Sequence, residues 1–240
     1  MAYALGKSDN FMNILNELYT NQTYIQNLNI IKQRMREVHS FMQPQFDDIE
    51  AEIVCLILMH FKPKSIYEFS PCGGWSTLYM LNTLDLLNID SKIDSFDIED
   101  NCTININKFD NLKNKWQFHL GDVQNEYINF PDNIDYLFID SDHSHNFTKN
   151  YIENLLNPLL IKLKNKNKKI FVSVHDVFHS STPSEEGILV IEFLEKNNIE
   201  YFSPLNDNHQ NDILQLRLSN NVDTNLVHCT TNPCIYFILG

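Results

Sequence analysis

The sequence has few cysteines, and they do not form an arrangement typical of a disulfide framework or a zinc cluster. No Cys-x-x-Cys pair occurs, the count is odd, and the five positions are Cys55, Cys72, Cys102, Cys229 and Cys234. Dispersed cysteines in odd number favour reduced thiols in a cytosol-like compartment. We therefore expect a cytoplasmic protein whose fold depends on neither disulfide bonds nor a structural zinc ion.

Long apolar runs and a secretory leader are also missing. The apolar run Ile53–Phe61 is far too short to cross a bilayer and is more typical of a core helix. The N-terminal residues lack the basic segment followed by an apolar segment that marks a signal peptide. No membrane partner is expected.

Positive charge is scarce, since 18 Lys and Arg stand against 31 Asp and Glu, for a net charge of -13. An acidic chain repels phosphate backbones, so nucleic acid is not expected as a partner. The stretch 162–169 is locally basic, but Lys and Asn alternate there without aromatic side chains for base stacking. We interpret it as a solvated connection.

Length and periodicity predict one α/β domain. The 240 residues are 43% hydrophobic, which suffices for one sizeable core, and no repeat or linker is visible. Short apolar runs alternate with helical segments, the pattern of βαβ units around a parallel sheet. Strands are predicted at 65–69, 92–98, 116–120, 136–140, 169–175 and 234–239, and helices at 9–39, 47–60, 76–87, 101–111, 146–163 and 185–197.

These elements predict a Rossmann-like, doubly wound sheet that is mostly parallel, with an antiparallel C-terminal edge strand. Residues 1–48 are predicted to be a helical extension packed on the core, and residues 49–240 to be the Rossmann-like domain. The polar segment 207–231 is ambiguous, and 213–218 fits a short strand or a helix. The sequence leaves open whether the chain forms a homo-oligomer.

The turn after the first predicted strand combines an acidic strand end, two glycines and hydroxyl side chains. Glu68 ends the strand, Gly73 and Gly74 allow close approach of the backbone to a ligand, and Ser76 opens the next helix. Open α/β sheets bind nucleoside cofactors at such a turn. A plain strand-to-helix turn would look the same in isolation.

Each later strand of the predicted parallel sheet also ends in polar groups, all at one edge. Asp97 is placed to accept hydrogen bonds from ribose hydroxyls, with Glu99 as a competitor, and Asp122 could meet an adenine amino group. The alternative for each is helix capping. The densest group follows the fourth and fifth strands and consists of Asp140, Asp142, His143, His145, His175, Asp176 and His179. Its carboxylates suit Mg²⁺, Ca²⁺ or Mn²⁺, and its histidines leave room for a transition metal.

Two of these strand ends resemble those of a known family. Ile139–His145 reads Ile-Asp-Ser-Asp-His-Ser-His and Val174–Val177 reads Val-His-Asp-Val. They are similar to the patterns Ile-Asp-Gly-Asp-His-Ser-Tyr and Leu-His-Asp-Val of class I S-adenosylmethionine-dependent methyltransferases, in the metal-dependent O-methyltransferase branch with its catechol-type and macrolide-sugar members. The glycine turn resembles their Glu-x-Gly-x-x-x-Gly-x-Ser pattern, although Ser70 replaces the first glycine.

The resemblance implies S-adenosylmethionine and a divalent metal, Mg²⁺ or Mn²⁺, as cofactors, and a small hydroxylated molecule or a sugar as substrate. The cofactor-binding residues would be Glu68, Ser70, Gly73, Gly74, Trp75, Ser76, Asp97, Gly121, Asp122 and Asp140. Asp140 and Asp176 would be metal ligands. Val177 stands where relatives carry a further oxygen ligand, and His175 is the candidate replacement.

His143 is the predicted catalytic base, with Asp142 as the alternative. Imidazole has an ordinary pKa near 6.5, whereas an aspartate near 3.9 would need a large upward shift. Other readings are a non-catalytic module that only binds the cofactor and a metal-dependent oxygenase on the same fold. A nicotinamide-dependent oxidoreductase is disfavoured because the chain lacks Gly-x-Gly-x-x-Gly after the first strand.

Overall fold

A seven-stranded sheet lies at the centre of the computed structural model, which describes residues 9–130, 133–179, 182–204, 207–225 and 233–240. The strand order is β3-β2-β1-β4-β5-β9-β8. The strands are β1 (Ser65–Phe69), β2 (Lys92–Asp97), β3 (Trp116–Leu120), β4 (Tyr136–Ile139), β5 (Ile170–Val174), β8 (Tyr201–Phe202) and β9 (Ile235–Leu239). A separate two-stranded hairpin contains β6 (Phe178–His179) and β7 (Thr182–Pro183).

Strands β1 to β5 are parallel, and β9 runs antiparallel to β5, which confirms the predicted sheet. All residues of β4 and β5 are buried, as expected of parallel strands covered on both faces. The two-residue strand β8, which was not predicted, pairs with β9 on its outer side. The strand order reverses between β1 and β4, so ligands are expected beyond their carboxyl ends.

The helices follow the predictions except where polar residues interrupt them. Residues 9–39 form two helices, because Asn21 accepts hydrogen bonds from the N–H groups of Thr23 and Tyr24 and starts a new helix. The segment predicted to be helical at 101–111 keeps only one turn. The helices are α1 (Asp9–Thr20), α2 (Gln22–Val38), α3 (Asp48–Phe61), α4 (Trp75–Leu86), α5 (Thr103–Ile106), α6 (His145–Tyr151), α7 (Asn157–Lys166), α8 (Glu185–Lys196) and α9 (Asp207–Ser219).

Two hydrophobic clusters cover the two faces of the sheet. Residues of α1 to α4 pack with β-strand residues such as Ile66 and Phe138 in one cluster. Residues of α6 to α8 pack with Leu137 and Val172 in the other. A π-helix at Ile152–Leu156 separates α6 from α7, within a segment predicted to be one helix. The ambiguous segment forms α9, while Cys229 and 226–232 lie outside the described residues.

A buried ionic cluster connects the helices of the first face. Glu52 of α3 accepts hydrogen bonds from Arg217 Nε at 2.8 Å and Nη2 at 3.0 Å, and it also pairs with Lys32 of α2. All three side chains are buried. The cluster ties α9 to the N-terminal helices. No helix of the described segments is long and apolar enough to span a membrane.

Candidate active site

The turn that follows β1 is held in an unusual backbone conformation. Ser70, Cys72 and Gly74 have positive φ angles of 55°, 48° and 91°. Ser70 N–H donates to Phe96 O at 2.7 Å, which ties the turn to β2, and Gly74 N–H donates to Pro71 O at 2.7 Å. A Cβ at Gly74 would lie 3.1 Å from Ile106 Cδ1 and would adopt a left-handed backbone. The turn therefore requires glycine at this position.

Helix α4 begins at this turn with its amide groups available. Gly74 is the N-cap residue, and it has no side chain to accept a hydrogen bond from the first amides of the helix. The hydroxyls that follow point into the core: Ser76 Oγ and Thr77 Oγ1 donate to Glu68 at 2.6 and 2.7 Å. The uncapped N-terminus of a helix attracts anions, such as the carboxylate of an amino acid.

Three residues predicted to contact a cofactor lie beneath the turn, and their side chains are turned away from solvent. Glu68 is wholly buried and also accepts a hydrogen bond from Ser95 Oγ at 2.6 Å, while burial raises the pKa of its carboxyl. Trp75 packs edge-on against Tyr79, with ring centroids 5.9 Å apart. In this arrangement, the side chains of Glu68, Trp75 and Ser76 support the turn, and only the backbone of the last two lies at the helix start.

A cleft of about 260 Å³ opens beside the turn, beyond the ends of β1 to β4. It brings together predicted residues that are far apart in sequence, among them Asp97 and Asp122. Its walls are formed by Ser70, Phe96, Asp97, Ile98, Gly121, Asp122, Val123, Gln124, Ser141, Asp142 and Phe147. Apolar side chains face carboxylates across this space, which suits a flat ring carrying polar groups.

Two of the three carboxylates of the cleft, Asp97 and Asp122, are held by backbone amides. Asp97 accepts from Cys72 N–H at 3.2 Å and from Glu99 N–H at 3.3 Å. Asp122 accepts from Gln124 N–H at 2.9 Å and caps a short 3₁₀ turn. The capping alternative is thus realised for Asp122, which still lines the cleft.

Gln45 covers the glycine turn, and sequence reasoning missed it. Its Oε1 accepts from Gly73 N–H at 3.1 Å, and its Nε2 donates to Cys72 Sγ at 3.1 Å. Gln45 lies 28 residues before Gly73, between α2 and α3, so no local pattern marks it. Its amide occupies the space that a Cβ at Gly73 would enter.

A group of candidate metal ligands lies at the ends of β4 and β5. Ligand atoms of Asp140, His143 and Asp176 all lie within 4.8 Å of one another. His143 Nε2 is 3.9 Å from Asp140 Oδ1 and 3.8 Å from Asp176 Oδ2. Asp176 has a left-handed backbone with φ of 55°, and its buried Oδ1 has no hydrogen-bond partner among the described residues. A buried carboxylate oxygen that accepts no hydrogen bond, on strained backbone, is typical of a ligand-binding position.

His175, the predicted third ligand, lies behind this group. Its Nδ1 is 3.2 Å from Asp140 Oδ1 and 3.4 Å from Asp176 Oδ1, and its buried ring packs edge-on against Phe46. Burial favours the neutral ring, but the two carboxylates outweigh it and raise the pKa of His175 to about 9. A protonated His175 therefore offsets part of the negative charge, while His143 takes the position within ligand spacing.

His143 makes its shortest contact on the other side of the ring. Its Nδ1 lies 2.6 Å from Oε2 of Glu186, a buried residue of α8 that the sequence did not indicate. Burial lowers the pKa of His143, but the Glu186 carboxylate outweighs that effect and the pKa is raised. Asp142, the alternative base, accepts from Ser144 N–H at 3.0 Å and Ser144 Oγ at 2.9 Å, and so fixes the start of α6. His145 is the exposed first residue of that helix.

Comparisons with known proteins agree with this geometry. Residues 71–162 match a family model described as a methyltransferase domain, a span that includes Asp140, His143 and the residues lining the cleft other than Ser70. No curated protein matches the sequence. Among solved structures, the O-methyltransferase from Bacillus cereus in complex with S-adenosylhomocysteine shares 13% identity at a TM-score of 0.55, covering 90% of this chain and 91% of that chain.

Two further structures are similar over nearly the whole chain. The O-methyltransferase TomG from Streptomyces achromogenes, involved in tomaymycin synthesis and solved with S-adenosylmethionine, shares 14% identity at a TM-score of 0.54, covering 99% of this chain and 92% of that chain. The S-adenosylhomocysteine-bound methyltransferase PaMTH1 from Podospora anserina shares 8% identity at a TM-score of 0.55, with coverages of 99% and 98%.

The fold and the family-model match point to the same class of protein. Residues 71–162 match a methyltransferase domain, and the whole chain has the fold of solved S-adenosylmethionine-dependent methyltransferases. More particularly, it has the fold of the O-methyltransferases, with flanking helices around a seven-stranded sheet that is mostly parallel, as predicted from the sequence. The resemblance seen in the strand-end motifs is thereby confirmed.

Proposed function

We propose that the protein transfers the methyl group of S-adenosylmethionine to a hydroxyl oxygen of a small hydroxylated molecule or a sugar, assisted by Mg²⁺ or Mn²⁺. The observation that carries this proposal is the convergence of Asp140, His143 and Asp176 beside the cleft. Ser141 and Asp142 line the cleft and directly follow Asp140 in the chain, so the two sites are contiguous.

The cofactor position follows from the groups at the strand ends. The free amides at the start of α4 and the turn at Gly73 and Gly74 suit its carboxylate, and Asp97 is placed to accept from the ribose hydroxyls. Asp122 and the apolar walls would hold the adenine. Bound S-adenosylmethionine supplies a methyl group on a positively charged sulfur.

The donor set beside the cleft fits a hard divalent cation. Asp140 and Asp176 supply oxygen ligands, and Asp176 Oδ1 accepts no hydrogen bond among the described residues. Asp140 and Asp176 would hold the ion. When bound, it would lower the pKa of the substrate hydroxyl and orient it.

His143 is placed to accept the hydroxyl proton. Its Nε2 faces the two carboxylates, where a hydroxyl directed at the ion would lie. As the oxygen forms its bond to the methyl carbon, the carbon–sulfur bond breaks and its electron pair stays on sulfur. His143 takes the proton, which leaves a methyl ether and S-adenosylhomocysteine. Alignment of oxygen, methyl and sulfur by the protein supplies much of the rate gain.

The test combines cofactor binding with turnover. Thermal-shift and calorimetric titrations with S-adenosylhomocysteine, with and without Mg²⁺ or Mn²⁺, should show binding and a further stabilisation by the metal. A panel of catechols and glycosides, followed by release of S-adenosylhomocysteine, should yield a chelator-sensitive activity. No binding to the wild-type chain would contradict the cofactor assignment, and chelator-insensitive turnover would contradict the metal.

A further inference from the structure

His143, the proposed base, has a buried partner, Glu186, that contacts a hydrogen-bonding side chain through each of its two oxygens. Glu186 is 1% exposed, and each of its oxygens meets one side-chain donor. Oε2 lies 2.6 Å from His143 Nδ1, and Oε1 accepts from the Tyr151 hydroxyl at 2.8 Å. Burying a carboxylate is costly unless it is hydrogen-bonded, so this arrangement fixes both partners.

The helix that carries Glu186 is locked in place at its first turn. Ser184 caps α8 by accepting from Gly187 N–H at 3.0 Å, and its own N–H donates to Val177 O at 2.9 Å. A Cβ at Gly187 would lie only 2.0 Å from Val177 O, so the helix start packs directly on the chain that follows β5. Glu186 is therefore held relative to Asp176 by backbone contacts.

Glu186 is also held by Tyr151, which lies where the helix geometry changes. Tyr151 is wholly buried and ends α6, and the π-helix Ile152–Leu156 begins at the next residue. π-Helical turns are rare and often lie at functional sites. Here the change in helical pitch coincides with the residue whose hydroxyl reaches Glu186.

These contacts determine which nitrogen of His143 carries the proton. An ionised carboxylate only accepts hydrogen bonds, so Nδ1 must donate to Glu186. Nε2 then carries the lone pair, and it is the nitrogen that faces Asp140 and Asp176 at 3.9 and 3.8 Å. The hydrogen bond made by one imidazole nitrogen sets the role of the other.

We propose that Glu186, supported by Tyr151, is a positioning residue that holds His143 as the Nδ1–H tautomer with Nε2 directed at the carboxylate pair. This inference rests on the proposed role of His143 as a base. Glu186 contacts His143 through its side chain and acts on the reaction only through that ring.

The test reads the tautomer and needs no methyl acceptor. Two-bond ¹H–¹⁵N spectra of the full chain labelled with ¹⁵N-histidine, at alkaline pH, should show one ring with a far-downfield Nδ1 proton and an unprotonated Nε2. The nine histidines of the chain make assignment necessary, and the signal should disappear in His143→Gln. In Glu186→Gln the Nδ1 proton should move upfield, whereas Glu185→Gln, the exposed neighbour on α8, should leave it unchanged.

A second variant guards against loss of the fold. Glu186→Asp keeps the charge but is one methylene too short to reach Nδ1, so the downfield signal should also be lost there. A wild-type His143 protonated on Nε2, or a signal unaffected by both Glu186 variants, would overturn the inference. Calorimetry with S-adenosylhomocysteine on the same samples separates the two proposals: absent binding to wild type rejects the proposed function and leaves the tautomer result standing.

Discussion

Two charged clusters in the molecule differ in how completely their members are paired. In the helical cluster of Lys32, Glu52 and Arg217, every side chain is at least 96% buried and the single carboxylate meets both cations. In the strand-end cluster of Asp140, His143 and Asp176, the side chains are 22% to 37% exposed. Its closest contacts leave a carboxylate oxygen without a partner among the described residues.

The difference indicates that the charges of the helical cluster stabilise the fold, whereas those of the strand-end cluster serve ligand binding. A buried ion pair is tolerated only when its hydrogen-bonding capacity is filled, and the helical cluster meets that condition. The strand-end cluster holds two carboxylates close together with partial solvent access, which is stable only with a compensating cation. His175 provides part of that compensation in the structure, and a divalent ion would provide more. Spare ligand capacity beside a cofactor cleft is the property that points to function.

Removal of the proposed base from the strand-end cluster should have the largest effect, and that effect should be on turnover. In His143→Ala, kcat for an acceptor identified in the panel should fall by roughly 10²–10⁴, because the variant removes the proposed proton acceptor. The affinity for S-adenosylhomocysteine, measured by calorimetry, should stay nearly unchanged since His143 does not line the cleft. His145→Ala is the matched control and should keep turnover. Turnover that survives His143→Ala and collapses in Asp142→Asn would transfer the role of the base to the aspartate.

Substitutions in the helical cluster should lower the stability of the fold. Glu52→Gln leaves Lys32 and Arg217 buried without a carboxylate, and the free energy of unfolding should fall by roughly 3–5 kcal/mol. Asp176→Asn makes the same chemical change in the strand-end cluster, where it removes like-charge repulsion. It should cost little stability without metal and should abolish Mn²⁺ binding. Urea unfolding measures the stability of both variants, and Mn²⁺ titration measures metal binding. Equal destabilisation by the two variants would show that the two clusters do not differ in their structural role.

The sequence could predict which residues lie at each strand end, but not which side chains pair between elements that are distant in sequence. Asp97, Asp140 and Asp176 follow apolar runs, so their place at one edge follows from strand parallelism. Glu186 lies 43 residues from His143, and Arg217 lies 165 from Glu52. Such pairs depend on helix packing angles, which no local periodicity encodes.

The same limit applies to the surroundings of two predicted site residues, Glu68 and His175. Glu68 looked like a cofactor ligand because it ends a strand, and its burial under three hydroxyls depends on how α4 and β2 pack. His175 was predicted to be a metal ligand because it precedes Asp176, and that role stays a prediction. His175 directly follows β5, and its ring packs edge-on against Phe46, a contact that the local sequence does not predict.

A buried carboxylate that belongs to neither cluster, that of Glu50, should make the free energy of unfolding depend on pH. Glu50 is buried and contacts the Tyr236 hydroxyl. Burial, reinforced by Asp47, raises its pKa from the ordinary 4.5 to about 7. The folded state therefore holds the proton where the unfolded chain has released it, so the free energy of unfolding should fall as pH rises from 4.5 to 7, by up to roughly 3 kcal/mol.

Glu50→Gln tests this dependence, since the amide keeps the shape without a charge. The variant should be more stable than wild type at pH 8 and should differ little at pH 5, as measured by urea unfolding. The exposed Glu17→Gln on α1 is the control and should change nothing. A wild-type stability that rises over this range would show that Glu50 is ionised in the folded state.

The smallest expected effect belongs to a carboxylate that lines the cleft and is held only by backbone amides in its closest contacts. Asp97→Ala removes an acceptor for the ribose hydroxyls, so binding of S-adenosylhomocysteine should weaken by roughly 1.5–3 kcal/mol in calorimetry. Glu99→Ala, the neighbouring competitor for the same role, is the matched control and should bind like wild type. Stability should change little in either variant, because Asp97 supports the turn through one amide of Cys72. If Glu99→Ala loses affinity while Asp97→Ala keeps it, the ribose acceptor is Glu99, and the cofactor lies further along the β2 edge than the cleft geometry indicates.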